Sequence, residues 1–335
     1  MAAVSVFSAL ALLDGAQPPG FRVAAIEFFG QKGVDTAAIR AALPFREGDE
    51  LLQEAGVKER VRAVVLQSIG KEPTDVARVC CTADGGVLLF IGIPGGSYRK
   101  FAYGPEPTGH ARVSTELEQL DERLDQAIVA AVRKGGDAAL EDDSKGYALM
   151  KDPEARSVQL ALRRYAIAHE WELFQALEFS ADSKQRAIAS EALGYARQSP
   201  RQVRALMRAA RDPDEGVRNN ATRAIAVLAH ANHGLVSQIS PDTFIEMLNS
   251  GIWTDRNKGA MVLVSLTATR DPAVLTKLKA TALDALIEMT LWRAASHAHS
   301  ARMLLGRVAG IPEKQLEELA WKGPSQAIID ALAGK

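Results

Sequence analysis

Cysteine is nearly absent from this chain. Two occur in 335 residues, Cys80 and Cys81, which excludes a small disulfide-stapled scaffold. Neighbours on a strand point to opposite faces, so the pair reads as two packing cysteines rather than an ordinary disulfide. Two adjacent thiols also supply no metal-ligand spacing. Beyond the N-terminus no run of 18 or more apolar residues occurs, so no membrane-spanning helix is expected in the body of the chain. A Gly-x-Ser-x-Gly elbow, a P-loop and a dinucleotide fingerprint are all missing. Gly92-Ile-Pro-Gly-Gly96 follows a strand pattern, but no helix opens after it to cradle a phosphate. His297 and His299 are two apart, which on a helix turns them about 200° from each other and off any shared metal face. No cofactor and no metal are therefore expected. A dominant charge is lacking too. Residues 151–335 hold 24 basic and 20 acidic side chains, and residues 1–150 hold 16 and 21. Neither half has the basic balance typical of nucleic-acid binders.

The first residues carry the one long apolar run. Val4 to Leu13 is apolar apart from two serines, and Asp14-Gly-Ala-Gln17 and Pro18-Pro19 follow. This resembles the apolar region and cleavage end of a secretory signal peptide, although no Lys or Arg precedes the run and Asp14 sits near the cleavage end. Residues 1–17 are expected to be a signal segment of an exported, periplasmic protein. A cytoplasmic protein is the alternative.

Residues 21–104 read as an α+β module. Phe21–Phe29 is a strand ended by Gly30. Asp35 to Leu43 is a short helix with Ile39 and Leu43 on its apolar side. Asp49 is a plausible N-cap for the next helix. Val57, Val61, Val64, Val65 and Ile69 recur at helical spacing. Val76–Thr82 and Val87–Ile93 read as strands joined by the hairpin turn Ala83-Asp-Gly-Gly86. The order is β-α-α-β-β. With Gly30 ending the first strand and Leu43-Pro-Phe-Arg-Glu-Gly-Asp49 between the helices, the stretch resembles a POTRA domain. The resemblance implies a role outside the cytoplasm and capture of partner peptides by strand addition at the sheet edge. A generic α+β module without a partner is the plainer alternative.

Residues 105–149 form a linker and connecting helix. Tyr103 to Gly109 is rich in Pro and Gly. Ser114-Thr115 opens a long helix, Thr115-Glu116-Leu117-Glu118 fits a capping box, Leu117, Leu120, Leu124, Ile128 and Ala131 form a stripe, and Gly135-Gly136 ends the helix. The acidic stretch Ala138 to Lys145 reads as loose. From residue 150 to 335 the pattern is helical throughout. Its clearest stretch is Ala210 to Ala229, in which Asp-Pro stops one helix. Val217, Ala221, Ala224, Ile225 and Leu228 of the next then fall within about 100° of a helical wheel. Such a pair cannot bury its stripe alone and implies stacked neighbours. Four segments share one register through Arg156, Arg186, Arg218 and Arg256, at spacings of 30, 32 and 38 residues. Asp152, Asp182 and Asp214 stand four residues before the first three arginines, and Asp212 stands six before Arg218. Here the chain resembles HEAT repeats, and the resemblance implies an α-solenoid with a ladder of Asp–Arg pairs between neighbouring units. The fourth unit lacks both acids, and Pro312 to Ala333 reads as a terminal cap.

Arg201, Arg204, Arg208 and Arg211 lie within about 80° of one helical wheel. Such a row can hold carboxylates or phosphates by bidentate hydrogen bonds, or it can be a solvated outer face. The expectation is a non-enzymatic scaffold that binds a protein or peptide along the solenoid face, with nucleic acid disfavoured by the charge balance. The rival is a HEAT-like enzyme, either a DNA base-excision enzyme or a chromophore lyase. It draws on Trp253, Asp255 and Trp292, and a groove lined by them would favour it.

Overall fold

The computed structural model describes residues 21–51, 56–80, 82 and 85–333. Along the chain come β1 (Phe21–Phe29), α1 (Thr36–Ala42), β2 (Glu50–Leu51), α2 (Val57–Ile69), β3 (Asp75–Val79) and β4 (Val87–Gly92). Next are α3 (Thr115–Lys134), β5 (Glu141–Asp142), β6 (Leu149–Met150), α4 (Pro153–Ala168), α5 (Glu170–Phe179), α6 (Ser183–Leu193), α7 (Pro200–Ala209) and α8 (Glu215–Ala231). The chain continues with α9 (His233–Val236), α10 (Pro241–Met247), α11 (Trp253–Leu266), α12 (Pro272–Thr290), α13 (Ala295–Val308), α14 (Glu313–Lys322) and α15 (Ser325–Ala333). This is an α+β N-terminal module followed by a helical body. Among the described residues no helix is long and apolar enough to cross a membrane. The expected signal segment, residues 1–17, lies outside the described residues, as do Ala83 and Asp84 of the expected hairpin turn.

The chain gathers into two compact units, each discontinuous in sequence. One holds Ala102–Phe244 and Met261–Ala268; the other holds the strands and helices up to Phe101, Ile245–Ala260 and the helices from Thr269 onward.

In the unit that holds the sheet, the strand order is β2-β1-β4-β3. β1 runs parallel to β4, and β3 pairs antiparallel with β4. Every residue of β4 is buried, as expected of a strand covered on both faces. Period-two alternation divides it. Val87, Leu89 and Ile91 join Val23, Ile26, Ile39, Val57, Val61 and Val65 in one apolar core. Phe90 faces the other way and packs against Trp253 and Trp292, with ring centroids 5.0 and 4.9 Å away. Full burial of each large apolar side chain contributes roughly 1.5–3 kcal/mol. Polar contacts fix the same face. The Asp75 carboxylate accepts the Trp253 N–H at 2.9 Å, and Glu27 accepts from the Arg293 N–H and Nε at 3.0 Å each. Gly30 ends β1 with φ of 73°. A Cβ there would lie 2.3 Å from the Ile93 carbonyl oxygen, so glycine is required at this close approach. Its N–H donates to Glu288 at 2.9 Å.

In the other unit, α8 packs against α6 and α7, α5 against α6, and α3 against α4. The expected stripe of α8 is buried, and so are Thr222, Arg223, Ala226 and Val227, so helices cover α8 on more than one side.

Four local expectations change. Asp49 caps no helix: its carboxylate accepts the Arg46 N–H in the turn before β2, and α2 opens at Gly56 instead. The cap of α3 is Ser114, whose hydroxyl accepts the Leu117 N–H, because Tyr165 and Glu172 bond Ser114 and fix it outside the helix. The acidic stretch after α3 is ordered, since β5 pairs antiparallel with β6 and Glu141 is buried against Arg223. Cys80 is disulfide-bonded. It lies past the end of β3, where strand alternation no longer holds. Cys81 lies outside the described residues.

Candidate functional site

The register arginines share one device. Arg156 donates to the Met150 carbonyl at 3.4 Å. Arg186 donates to Ser180 at 2.9 Å, Arg218 to Asp212 at 2.9 Å, and Arg256 to Ser250 at 2.7 Å. In each case the acceptor stands six residues before the arginine. Ser180, Asp212 and Ser250 follow a helix end, where carbonyls lack intrahelical partners, and Met150 ends β6. The guanidinium ties that carbonyl to the first turn of its own helix.

The three aspartates four residues before an arginine are N-caps. Asp152 accepts from Glu154 and Ala155 N–H at 3.1 Å each, Asp182 from Lys184 at 3.0 Å, and Asp214 from Val217 at 3.0 Å. Asp152 also binds Lys134 at 2.6 Å, and this bond holds its carboxyl below the usual range. Asp182 lies 3.6 Å from Arg112. A carboxylate from before the next register helix, that of Asp212, takes Arg186 Nε and Nη2 at 2.8 and 2.9 Å. Arg186 is fully buried, and the Asp212 bond raises its guanidinium pKa. Arg256 is closed off differently, by Glu288 at 3.3 Å and the Ser97 carbonyl at 3.0 Å. Burial pushes its guanidinium down to about 10, still protonated at neutral pH.

The arginine row sits on α7 beside α5. Ser199 caps α7 by accepting the Gln202 N–H, with Pro200 in the first turn. Arg201, Arg204 and Arg208 are exposed. Arg201 lies over the rings of Phe174 and Trp171, at 4.1 and 5.3 Å from the centroids. Arg208 pairs with Glu178. Arg197, just before the helix, pairs with Glu170 at 3.3 Å. Arg204 has no hydrogen bond or ion pair among the described residues. Arg211 falls beyond the end of α7 and turns to the Ala102 carbonyl at 3.0 Å and the Thr243 hydroxyl at 3.2 Å. The row is thus three arginines on the helix and a fourth spent on a loop.

Trp171 and Phe179 on α5 are 64% and 49% exposed, and neither stood out in the sequence. Their eight-residue spacing places them about 80° apart on the wheel, the one local signal that could have marked them. Trp253, Trp292 and Asp255 are buried. Asp255 accepts from the Ser250 hydroxyl at 2.7 Å, so the three line no groove.

One small cavity, about 10 Å³ and the size of a single-water site, is lined by Glu191, Tyr195, Asn220 and Arg223. Burial pushes the Glu191 carboxyl up to about 8, with Asp121 and Asp125 adding repulsion and Arg223 opposing. Asp121 is pushed up to about 7 by burial and by Asp125. Among the described residues no group of three or more His, Cys, Asp or Glu side chains is placed to hold a metal. No protein-family profile and no curated protein matches this chain.

Proposed function

We propose that the chain is a non-enzymatic scaffold that binds a protein or peptide on the exposed face of α5 and α7. The observation that carries this reading is the placement of Trp171, 64% exposed, with Arg201 stacked over it and Arg204, one turn on, without a hydrogen bond or ion pair among the described residues. Aromatic and arginine side chains are the commonest energetic anchors of protein interfaces. The side chains on which the enzyme reading draws, Trp253, Asp255 and Trp292, are buried. Arg186, Arg218 and Arg256 hold turns together.

HEAT-like helix pairs are part of the proposal. The recurring bond from each register arginine to the carbonyl six residues back supports a common unit, and the Arg186–Asp212 pair supports a rung between units. A POTRA-like module is proposed for the sheet on its strand order, in which β3 is an outer strand and the natural edge for an added peptide strand. Export is proposed on the apolar run of residues 4–13. Mass spectrometry of the mature N-terminus tests it: cleavage near residue 17 is expected, and an intact Met1 or Ala2 on cytosolic protein rules it out.

Crosslinked pull-down of the wild type beside Arg201→Glu/Arg204→Glu/Arg208→Glu tests the scaffold. The variant should keep its circular dichroism and lose the partners that the wild type captures. An unchanged set of partners refutes the proposal.

A further inference from the structure

The polar rungs between α5 and α7 follow a nearly constant offset. Arg197 meets Glu170, 27 residues earlier, and Arg208 meets Glu178, 30 earlier. Arg201 meets Phe174 and Trp171. The same offset places Arg204 opposite Phe174 to Leu177, where the sequence offers an aromatic ring, Gln175, Ala176 and Leu177 and no carboxylate. Of the four guanidinia on this face, Arg197 and Arg208 meet Glu170 and Glu178, Arg201 lies over aromatic rings, and Arg204, one turn on from Arg201, meets neither an acid nor a ring among the described residues.

We propose that this face recognises an acidic segment of a partner protein, with one Asp or Glu carboxylate bound by Arg204 and an adjacent apolar side chain laid on Trp171. The inference rests on the scaffold reading and specifies its chemistry. A carboxylate matches the guanidinium fork in a bidentate way. Arg204 has no internal bond to surrender, so binding does not first break a salt bridge. Arg201 holds the indole in place and limits the side-chain ordering that binding would otherwise cost. Arg204 itself, with Arg201 and Arg208 on the same helix face, repels a second guanidinium or a lysine, while Glu170 and Glu178 are already taken by Arg197 and Arg208.

The test is fluorescence anisotropy with the full chain and a labelled short peptide in which Glu alternates with Leu and Phe, beside the same peptide with every Glu replaced by Gln. The Glu peptide should bind and should weaken with added salt. The Gln peptide should bind about 10-fold more weakly, the loss expected when a charge-assisted pair is removed. Arg204→Glu should lose about as much, and Trp171→Ala should weaken both peptides. Both side chains are exposed, so the variants should unfold at the wild-type temperature. Equal binding of the two peptides, or full binding by Arg204→Glu, overturns the proposal. So does equal, Arg204-dependent binding of a single-stranded oligonucleotide or of vesicles containing anionic lipid, which would assign the face to phosphate. If no peptide binds while the pull-down still captures partners that depend on the arginine row, the carboxylate chemistry fails and the scaffold stands. If neither assay shows binding, both fall.

Discussion

Asp212 serves three neighbours at once. Its carboxylate takes two bonds from buried Arg186 and one from the Asp214 N–H, and its carbonyl accepts from Arg218. Removing one partner of a buried pair strands the other charge, at a cost of about 3–5 kcal/mol. Asp212→Ala should therefore lower the unfolding free energy in urea by that amount. Exchanging Arg186 and Asp212 together for apolar residues of similar volume should cost far less. Comparable losses in the two variants would show that the pair carries no special weight. A second residue-scale prediction concerns pH. Glu191 and Asp121 titrate in the folded chain near 8 and 7, against ordinary values of 4.5 and 3.8. Their protons favour the folded state, so this stability is complete below about pH 4 and falls as pH rises to about 8. Glu47 acts in the opposite sense. The Arg293 bond holds it down to about 2 from 4.5, so its contribution is lost as pH falls from 4.5 toward 2. Urea unfolding across pH 5 to 8 should show declining stability in the wild type and a shallower decline in Glu191→Gln. Parallel pH profiles would refute the assignment.

The helical elements were legible where the signal is local. Val57–Ile69 was read at its observed bounds from Val57, Val61, Val64, Val65 and Ile69 at helical spacing, and in the structure Gly56 and Gly70, both in left-handed backbone conformation, flank it. The register of Arg156, Arg186, Arg218 and Arg256 was also readable, but not its use. The acid four residues back suggested a ladder, whereas a carboxylate at that position is ideally placed to cap its own helix. The two roles predict different losses. Asp214→Ala should cost about 1 kcal/mol, the usual worth of a cap, against the larger loss for Asp212→Ala. Equal losses in thermal unfolding would contradict the division. Elements stabilised from a distance left no local mark. β5 and β6 have two residues each, and the segment read as loose because the partner of Glu141 is Arg223, 82 residues away. The candidate face is a similar case. The arginines on α7 were visible, but Trp171, Glu170 and Glu178 acquire meaning only when their helix, α5, lies beside α7.

Across the whole chain, the most consequential contact without a sequence signal is that of the sheet with helices more than 150 residues later. Phe29 and Phe90 are completely buried. Phe90 packs against Trp253 and Trp292, and Arg256 stands over the Phe29 ring at 5.1 Å. Residues 21–104 produced alone would expose that face. They should bind a hydrophobic dye and unfold without a cooperative transition, and a sharp two-state transition would contradict this. The proposed binding role is assigned to the α5–α7 face, where Trp171 and Phe179 are exposed. The most direct test is hydroxyl-radical footprinting of the chain with and without a captured partner. Trp171 and Phe179 should be protected, while Leu66, Tyr103 and Leu291, the other exposed large apolar side chains among the described residues, keep their reactivity. If Trp171 and Phe179 are oxidised as fast in the complex as in the free chain, the partner does not lie on this face and the account is wrong.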